Sequence, residues 1–140
     1  MADVLHGQKF DRDSCAFVSW LGTIYYLTRG AIEATFASLA MVCSAGSRVV
    51  FDYIQPKSRM SPADLQLFEK LDRGGPRRGE PMQTVLDSEE VAGMWHPAGF
   101  RIVEDLSASE VRRRYLRHRS DGLDIPGFAR LCCAERERAV

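Results

Sequence analysis

The sequence has no surplus of either charge. Its 19 Lys and Arg residues balance 19 Asp and Glu, and its pI is about 6.8, so electrostatics names neither nucleic acid nor an anionic membrane as partner. Long hydrophobic runs are missing too: the most apolar stretches, 17–27 and 31–42, fall short of the ~20 residues a helix needs to cross a bilayer. Residues 1–10 are polar and lack the apolar core of a secretory signal, so the reading is a cytoplasmic chain with no membrane partner. Cysteine is sparse. Cys15, Cys43, Cys132 and Cys133 show no Cys-x-x-Cys spacing, and on a strand the neighbours Cys132 and Cys133 would point to opposite faces. They read as small buried hydrophobes of a reducing compartment. His6, His96 and His118 are far apart and outside any His-Glu-x-x-His frame, so no metal site is expected.

Catalytic signatures are equally thin. Ser14 and Ser19 lie near an apolar run but not in a Gly-x-Ser-x-Gly elbow, which argues against an acyl-transfer hydrolase. A phosphate-cradling Gly-x-Gly between strand and helix is absent, and Gly74, Gly75 and Gly79 fall after a helical pattern instead. Arg112, Arg113, Arg114, Arg117 and Arg119 spread around all faces of one short helix. With Glu104, Asp105, Glu110 and Asp121 nearby, they read as a solvated surface rather than a phosphate stripe.

What is present is a patterned globular chain of 140 residues, 45% hydrophobic and 27% charged, enough for one domain with one core. The pattern is clearest from Phe17 to Tyr53. Phe17 to Trp20 is a short apolar strand, and Thr28 is an N-cap. Ile32, Phe36, Leu39 and Cys43 then line one helical stripe, Gly46 ends the helix, and Arg48 to Ile54 is a second strand covered on both faces at Val49, Val50 and Phe51. This β-α-β order implies a parallel pair, whose ligands sit outside the carboxyl ends of the strands. Ser19 to Tyr26 and Asp52 to Gln55 therefore form the expected working edge. Tyr25 and Tyr26 are its candidate ligand-contacting residues, since a tyrosine offers both an apolar face and a hydroxyl.

Elsewhere, residues 3–10 read as the tail of a helix stopped at Gly7, and 11–14 as a turn. Ser61 with Pro62 starts a helix that buries Leu65, Phe68 and Leu71, and residues 73–81 form a surface loop. A helix from Asp87 or Ser88 buries Val91, Met94 and Trp95 and stops before Pro97. A strand over 100–106, a capping box of Ser107 and Glu110 opening a short basic helix, a last strand over 128–134 and a fraying charged tail complete the chain.

The segments FVSWLGTIYYLTRGAIEATFASLA, GSRVVFDYIQP, GEPMQTVLDSEEVAGMWHPAGFRIVEDLSASEV and RYLRHRSDGL resemble, in order and spacing, the carboxyl-terminal half of the S-adenosylmethionine-dependent methyltransferases of the leucine carboxyl methyltransferase-like group, bacterial branch. The resemblance runs from about Val4 to Leu131. It implies an α/β fold: the second half of a Rossmann-like class I methyltransferase sheet, with two parallel strands, a closing antiparallel pair and flanking helices. Residues 1–140 would then be one partial domain lacking the cofactor-binding first half. The implied cofactor is S-adenosylmethionine, bordered by Ser19, Trp20, Leu21 and Gly22. Leu21 stands where some family members carry a Glu that meets the cofactor's ammonium. The implied acceptor is a small molecule offering a carboxylate or hydroxyl, near Tyr25, Tyr26, Asp52 and Tyr53. The resemblance also leaves the first strand's outer edge unpaired, a template for a homodimer or for another partner, and inactivity of the chain alone.

Overall fold

The structure, a computed structural model, describes residues 10–74 and 81–138. The helix tail expected over 3–10 and most of the loop expected over 73–81 lie outside the described residues.

Strands β1 (Phe17–Trp20), β2 (Arg48–Ile54), β3 (Phe100–Ser107) and β4 (Ala129–Arg136) form one sheet in the order β1-β2-β4-β3. β1 and β2 are parallel, with Trp20 opposite Phe51, while β4 runs antiparallel to both β2 and β3. This is the expected parallel pair closed by an antiparallel pair. Because β1 and β2 point the same way, their carboxyl tips lie side by side at one edge.

Helix α1 (Arg29–Val42) supplies the crossover between the parallel strands. The Thr28 side chain accepts from the Ala31 amide at 3.3 Å, capping its start, and Ile32, Phe36, Leu39 and Val42 are buried at intervals of three and four. The helix ends at Val42, before the expected Gly46. Gly46 instead takes φ +85° in the turn into β2 and donates its amide to the Arg136 carbonyl at 2.9 Å.

On β2 the burial alternates. Val49, Phe51 and Tyr53 are enclosed, whereas Val50 and Asp52 are only partly covered. The expected cover on both faces is therefore corrected. α1 and α3 (Ser88–Trp95) pack against the Val49 and Phe51 side, as their shared core cluster shows, and the other side near β1 is left open enough that Phe17 is 71% exposed. Trp95 is the centre of the covered side. It stacks on Phe36 at 3.8 Å and Phe51 at 4.9 Å between ring centroids, and meets Phe100 edge-on at 5.0 Å. Each fully buried side chain of this size contributes on the order of 1.5–3 kcal/mol of transfer free energy.

Between β2 and α3 the chain inserts α2 (Pro62–Gly74). Ser61 caps it by accepting from the Asp64 amide at 3.1 Å. Phe68 is buried and meets Phe128 edge-on at 5.6 Å, in a small second cluster with Ile54. The helix buries a narrower face than its spacing suggests: Leu65 is half-buried and Leu71 is exposed. The Asp64 carboxylate occupies the space a β-carbon on Gly127 would fill, so glycine there allows α2 to approach the start of β4.

The Asp87 carboxylate and Glu90 form a capping box at the head of α3, and Gly99, at φ +74°, turns the chain into β3. The Ser107 and Glu110 capping box starts α4 (Ala108–Val111), which runs into the widened turn Arg112–Leu116. There Arg112 and Arg114 pair with Asp124 and Glu104, consistent with a solvated basic surface.

Candidate functional site at the strand tips

At the end of β1 the chain passes through Leu21 and turns at Gly22, whose φ of +70° suits glycine. The Gly22 amide donates to Asp52 Oδ1 at 2.6 Å. Asp52 lies one residue beyond the Trp20–Phe51 pair, so its carboxylate braces the turn after β1 from the neighbouring strand tip. Burial raises the Asp52 pKa above the ordinary carboxylate value, partly opposed by the hydrogen bond from Gly22.

Past Gly22, residues Ile24–Tyr26 form a single 3-10 turn. Ile24 is buried in the main core, and Tyr25 and Tyr26 are both half-buried with ring centroids 4.7 Å apart. The Tyr25 hydroxyl lies 3.8 Å from where a β-carbon on Gly22 would be, which brings this ring over the β1 turn. Its pKa is pushed up to about 12, by burial first and then by the Asp52 and Tyr26 charges. Tyr25 is thus neutral over the usual pH range and can donate a hydrogen bond.

The other residues named from the sequence divide clearly. Ser19 is exposed, Trp20 is half-buried and edge-on to Phe36 at 5.6 Å, and Leu21 is 51% exposed. Tyr53 is not at the edge. It is 1% exposed, and its hydroxyl donates to Asp105 at 2.8 Å and lies 3.1 Å from the Ser88 hydroxyl. The reason is the period of two along β2, which sends Tyr53 to the helix-covered side when Asp52 faces the other way. Burial, with the Asp105 carboxylate adding to it, raises the Tyr53 pKa.

Two groups of residues escaped the sequence reading. One is the extended segment 81–87, whose Gln83 and Thr84 bond to the backbone of Tyr25, Tyr26 and Leu27. The other surrounds a cavity of about 220 Å³ between the exit of β2 (Gln55, Pro56, Arg59) and the head of α3 (Asp87, Ser88, Glu89), with Arg130 reaching in from β4. Arg130 is held by Asp105 at 2.9 Å, and both side chains are largely covered. No local motif marks either group, because their partners are 25 to 60 residues away in sequence.

Among the described residues no cluster of His, Cys, Asp and Glu could hold a metal ion, and no helix is long and apolar enough to cross a membrane. The four cysteines are free thiols; Cys132 is buried while Cys133, on the opposite side of β4, is half-covered.

No protein-family model matches the sequence. The chain is 26% identical over 112 residues to a Bacillus subtilis protein named "Putative S-adenosyl-L-methionine-dependent methyltransferase YktD", a match covering 80% of this chain and 37% of that protein. Among solved structures it is similar to a duf574 family protein from Streptomyces avermitilis, with TM-score 0.65 and 12% identity over 96% of this chain and 51% of the other. It is also similar to an O-methyltransferase family protein from Burkholderia thailandensis, with TM-score 0.55 and 11% identity over 99% of this chain and 40% of the other. The chain therefore spans little more than a third of the curated relative and about half or less of these two structures. The likeness shows the fold: a Rossmann-like α/β sheet with flanking helices, shared with these structures.

Proposed function

We propose that this chain supplies the acceptor-side half of an S-adenosylmethionine-dependent O-methyltransferase. The observation that carries the reading is the pair of parallel strand tips, where Asp52 braces the Trp20-Leu21-Gly22 turn and Tyr25 lies over it. Open α/β sheets bind ligands at this edge. The likenesses to YktD and to the Burkholderia O-methyltransferase support the assignment of chemistry, and the resemblance to the leucine carboxyl methyltransferase-like group narrows the acceptor to a carboxylate or hydroxyl.

The residues present fit the positively charged, methyl-bearing end of the cofactor. The Tyr25 ring lies over the Gly22 turn that the Asp52 carboxylate braces, an aromatic face beside an acidic group, which favours a cation. When bound, S-adenosylmethionine supplies an electrophilic methyl group on a sulfonium. The chain's own part would be to hold and align the acceptor, with Tyr25 and Tyr26 offering it their hydroxyls. Alignment of this kind is worth up to ~7–11 kcal/mol in favourable cases. No glycine-rich loop between strand and helix of the kind that holds a nucleotide cofactor occurs in this sequence, so these residues by themselves form only part of a cofactor cleft. Calorimetric titration of the chain with S-adenosylmethionine is expected to show binding weaker than micromolar. Micromolar or tighter affinity would overturn the need for a second half.

A second reading, a non-enzymatic module that pairs through β1, is favoured by the strand itself. Among the described residues β1 bonds to β2 on one side only; it carries no charge or proline to guard its outer edge, and it exposes Phe17. Light scattering after size exclusion separates the readings in part: a stable monomer argues against dependence on that edge, in a homodimer or any other pairing.

A further inference from the structure

We infer that Gln83 and Thr84 are positioning residues that set the acceptor side of the site by clamping the Tyr25–Tyr26 turn; this rests on the methyltransferase reading above. The turn is a single 3-10 element, closed by only two bonds of its own, from the Tyr26 amide to Thr23 and from the Leu27 amide to Ile24, both 3.0 Å. So short a turn has little intrinsic stability. Its three outward carbonyls are all taken by two residues of the segment 81–87. The Tyr25 carbonyl accepts from the Gln83 amide at 2.7 Å and the Thr84 amide at 3.3 Å, the Tyr26 carbonyl from Gln83 Nε2 at 2.7 Å, and the Leu27 carbonyl from the Thr84 hydroxyl at 2.6 Å.

The clamp is anchored at both ends. Downstream, the Leu86 amide donates to the Ile54 carbonyl at the end of β2, at 2.9 Å. On the apolar side Met82 and Val85 pack with Tyr25 around Ile54, Phe68 and Phe128. Thr84 is 7% exposed, so its hydroxyl has lost water and has the Leu27 carbonyl as its partner. The polypeptide that links α2 to α3 thereby fixes the height and tilt of two aromatic rings that follow β1. Residues remote from the strand tips would then set the shape of acceptor admitted, because any change in this segment reaches the Tyr25–Leu27 backbone through four hydrogen bonds.

The test compares Thr84→Val, which keeps the side chain's shape but deletes its donor, with Thr84→Ser, which restores the donor. The readout is the titration of the Tyr25 phenol in tyrosine-labelled protein by NMR, assigned with Tyr25→Phe. The titratable groups facing that phenol are Asp52 from β2 and Tyr26 from its own turn. Burial pushes the parent phenol up to about 12, and Thr84→Val is expected to move it down towards the ordinary value of about 10 as water reaches the ring. Amide exchange across Ile24–Leu27 is expected to quicken roughly fivefold to tenfold, the equilibrium worth of one hydrogen bond. Thr84→Ser keeps the parent behaviour in both. An unchanged phenol titration with unchanged exchange in Thr84→Val, or a serine variant displaced as far as the valine one, would overturn the clamp. Should the valine variant fail to fold, Gln83→Ala, at an exposed position, removes one side-chain bond and must quicken exchange at the same residues; no change there refutes the inference. These readouts need no cofactor, so a wrong assignment of the methyltransferase chemistry leaves them standing.

Discussion

Replacing Asp52 separates its role as a brace from its burden as a partly buried charge. Asp52→Ala deletes the acceptor of the 2.6 Å bond from Gly22 and leaves that amide, at a positive φ, without its partner. A hydrogen bond to a charged group contributes about 1.5–3 kcal/mol. The site is half-open to water, and burial already works against the ionised carboxylate, so the lower end applies and the expected loss is about 1–1.5 kcal/mol. Asp52→Asn keeps an oxygen for Gly22 and removes the charge, so it is expected to stay within about 0.5 kcal/mol of the parent. The sign of the pH dependence follows from the raised pKa. The folded state holds this proton more tightly than the unfolded chain, so its contribution is fully present below the ordinary carboxylate pKa of about 3.9 and is lost as pH rises through the folded value. Urea unfolding of parent and Asp52→Asn at about pH 4 and about pH 7 reads this directly, and the asparagine variant is expected to gain on the parent at the higher pH. The reasoning fails if the asparagine variant falls as far as alanine at neutral pH, or if it gains on the parent at the acidic end instead.

Trp95 is stacked between Phe36 and Phe51, so Trp95→Ala is expected to cost about 3–5 kcal/mol in chemical denaturation. Trp95→Phe is expected to cost only about 1–2 kcal/mol, since it also removes an indole N–H that has no hydrogen-bond partner among the described residues. At Gly127, substitution by alanine drives a methyl into the Asp64 carboxylate and its Ser61 cap, with an expected loss of about 1–2 kcal/mol; adding Asp64→Ala should return part of it, a coupling measured by a double-mutant cycle.

The sheet was legible because its evidence is local. Thr28, the Ile32-Phe36-Leu39 stripe, Pro62 at one helix start, Asp87 or Ser88 at another and the Ser107 box each signal through a few neighbouring residues, and the β-α-β order fixes which strand tips adjoin. Where expectation and structure part, the cause is tertiary. Val49, Val50 and Phe51 are all apolar, so composition suggested cover on both sides of β2, yet α1 and α3 pack on one side and Val50 is left partly open. Tyr53 adjoins Asp52 in sequence and faces away from it in space. The clamp by Gln83 and Thr84 and the Tyr53–Asp105–Arg130 group join residues whose spacing in the chain carries no periodic signal.

The central claim is that the Ser19 to Tyr26 turn, braced by Asp52, faces the methyl-bearing end of the cofactor. Amide chemical-shift mapping of the chain titrated to millimolar S-adenosylhomocysteine tests it most directly. Shifts concentrated at Ser19 to Tyr26 and Asp52 are the result this account predicts. Shifts confined to the cavity beside Arg59 and Arg130, or none at all, would contradict it.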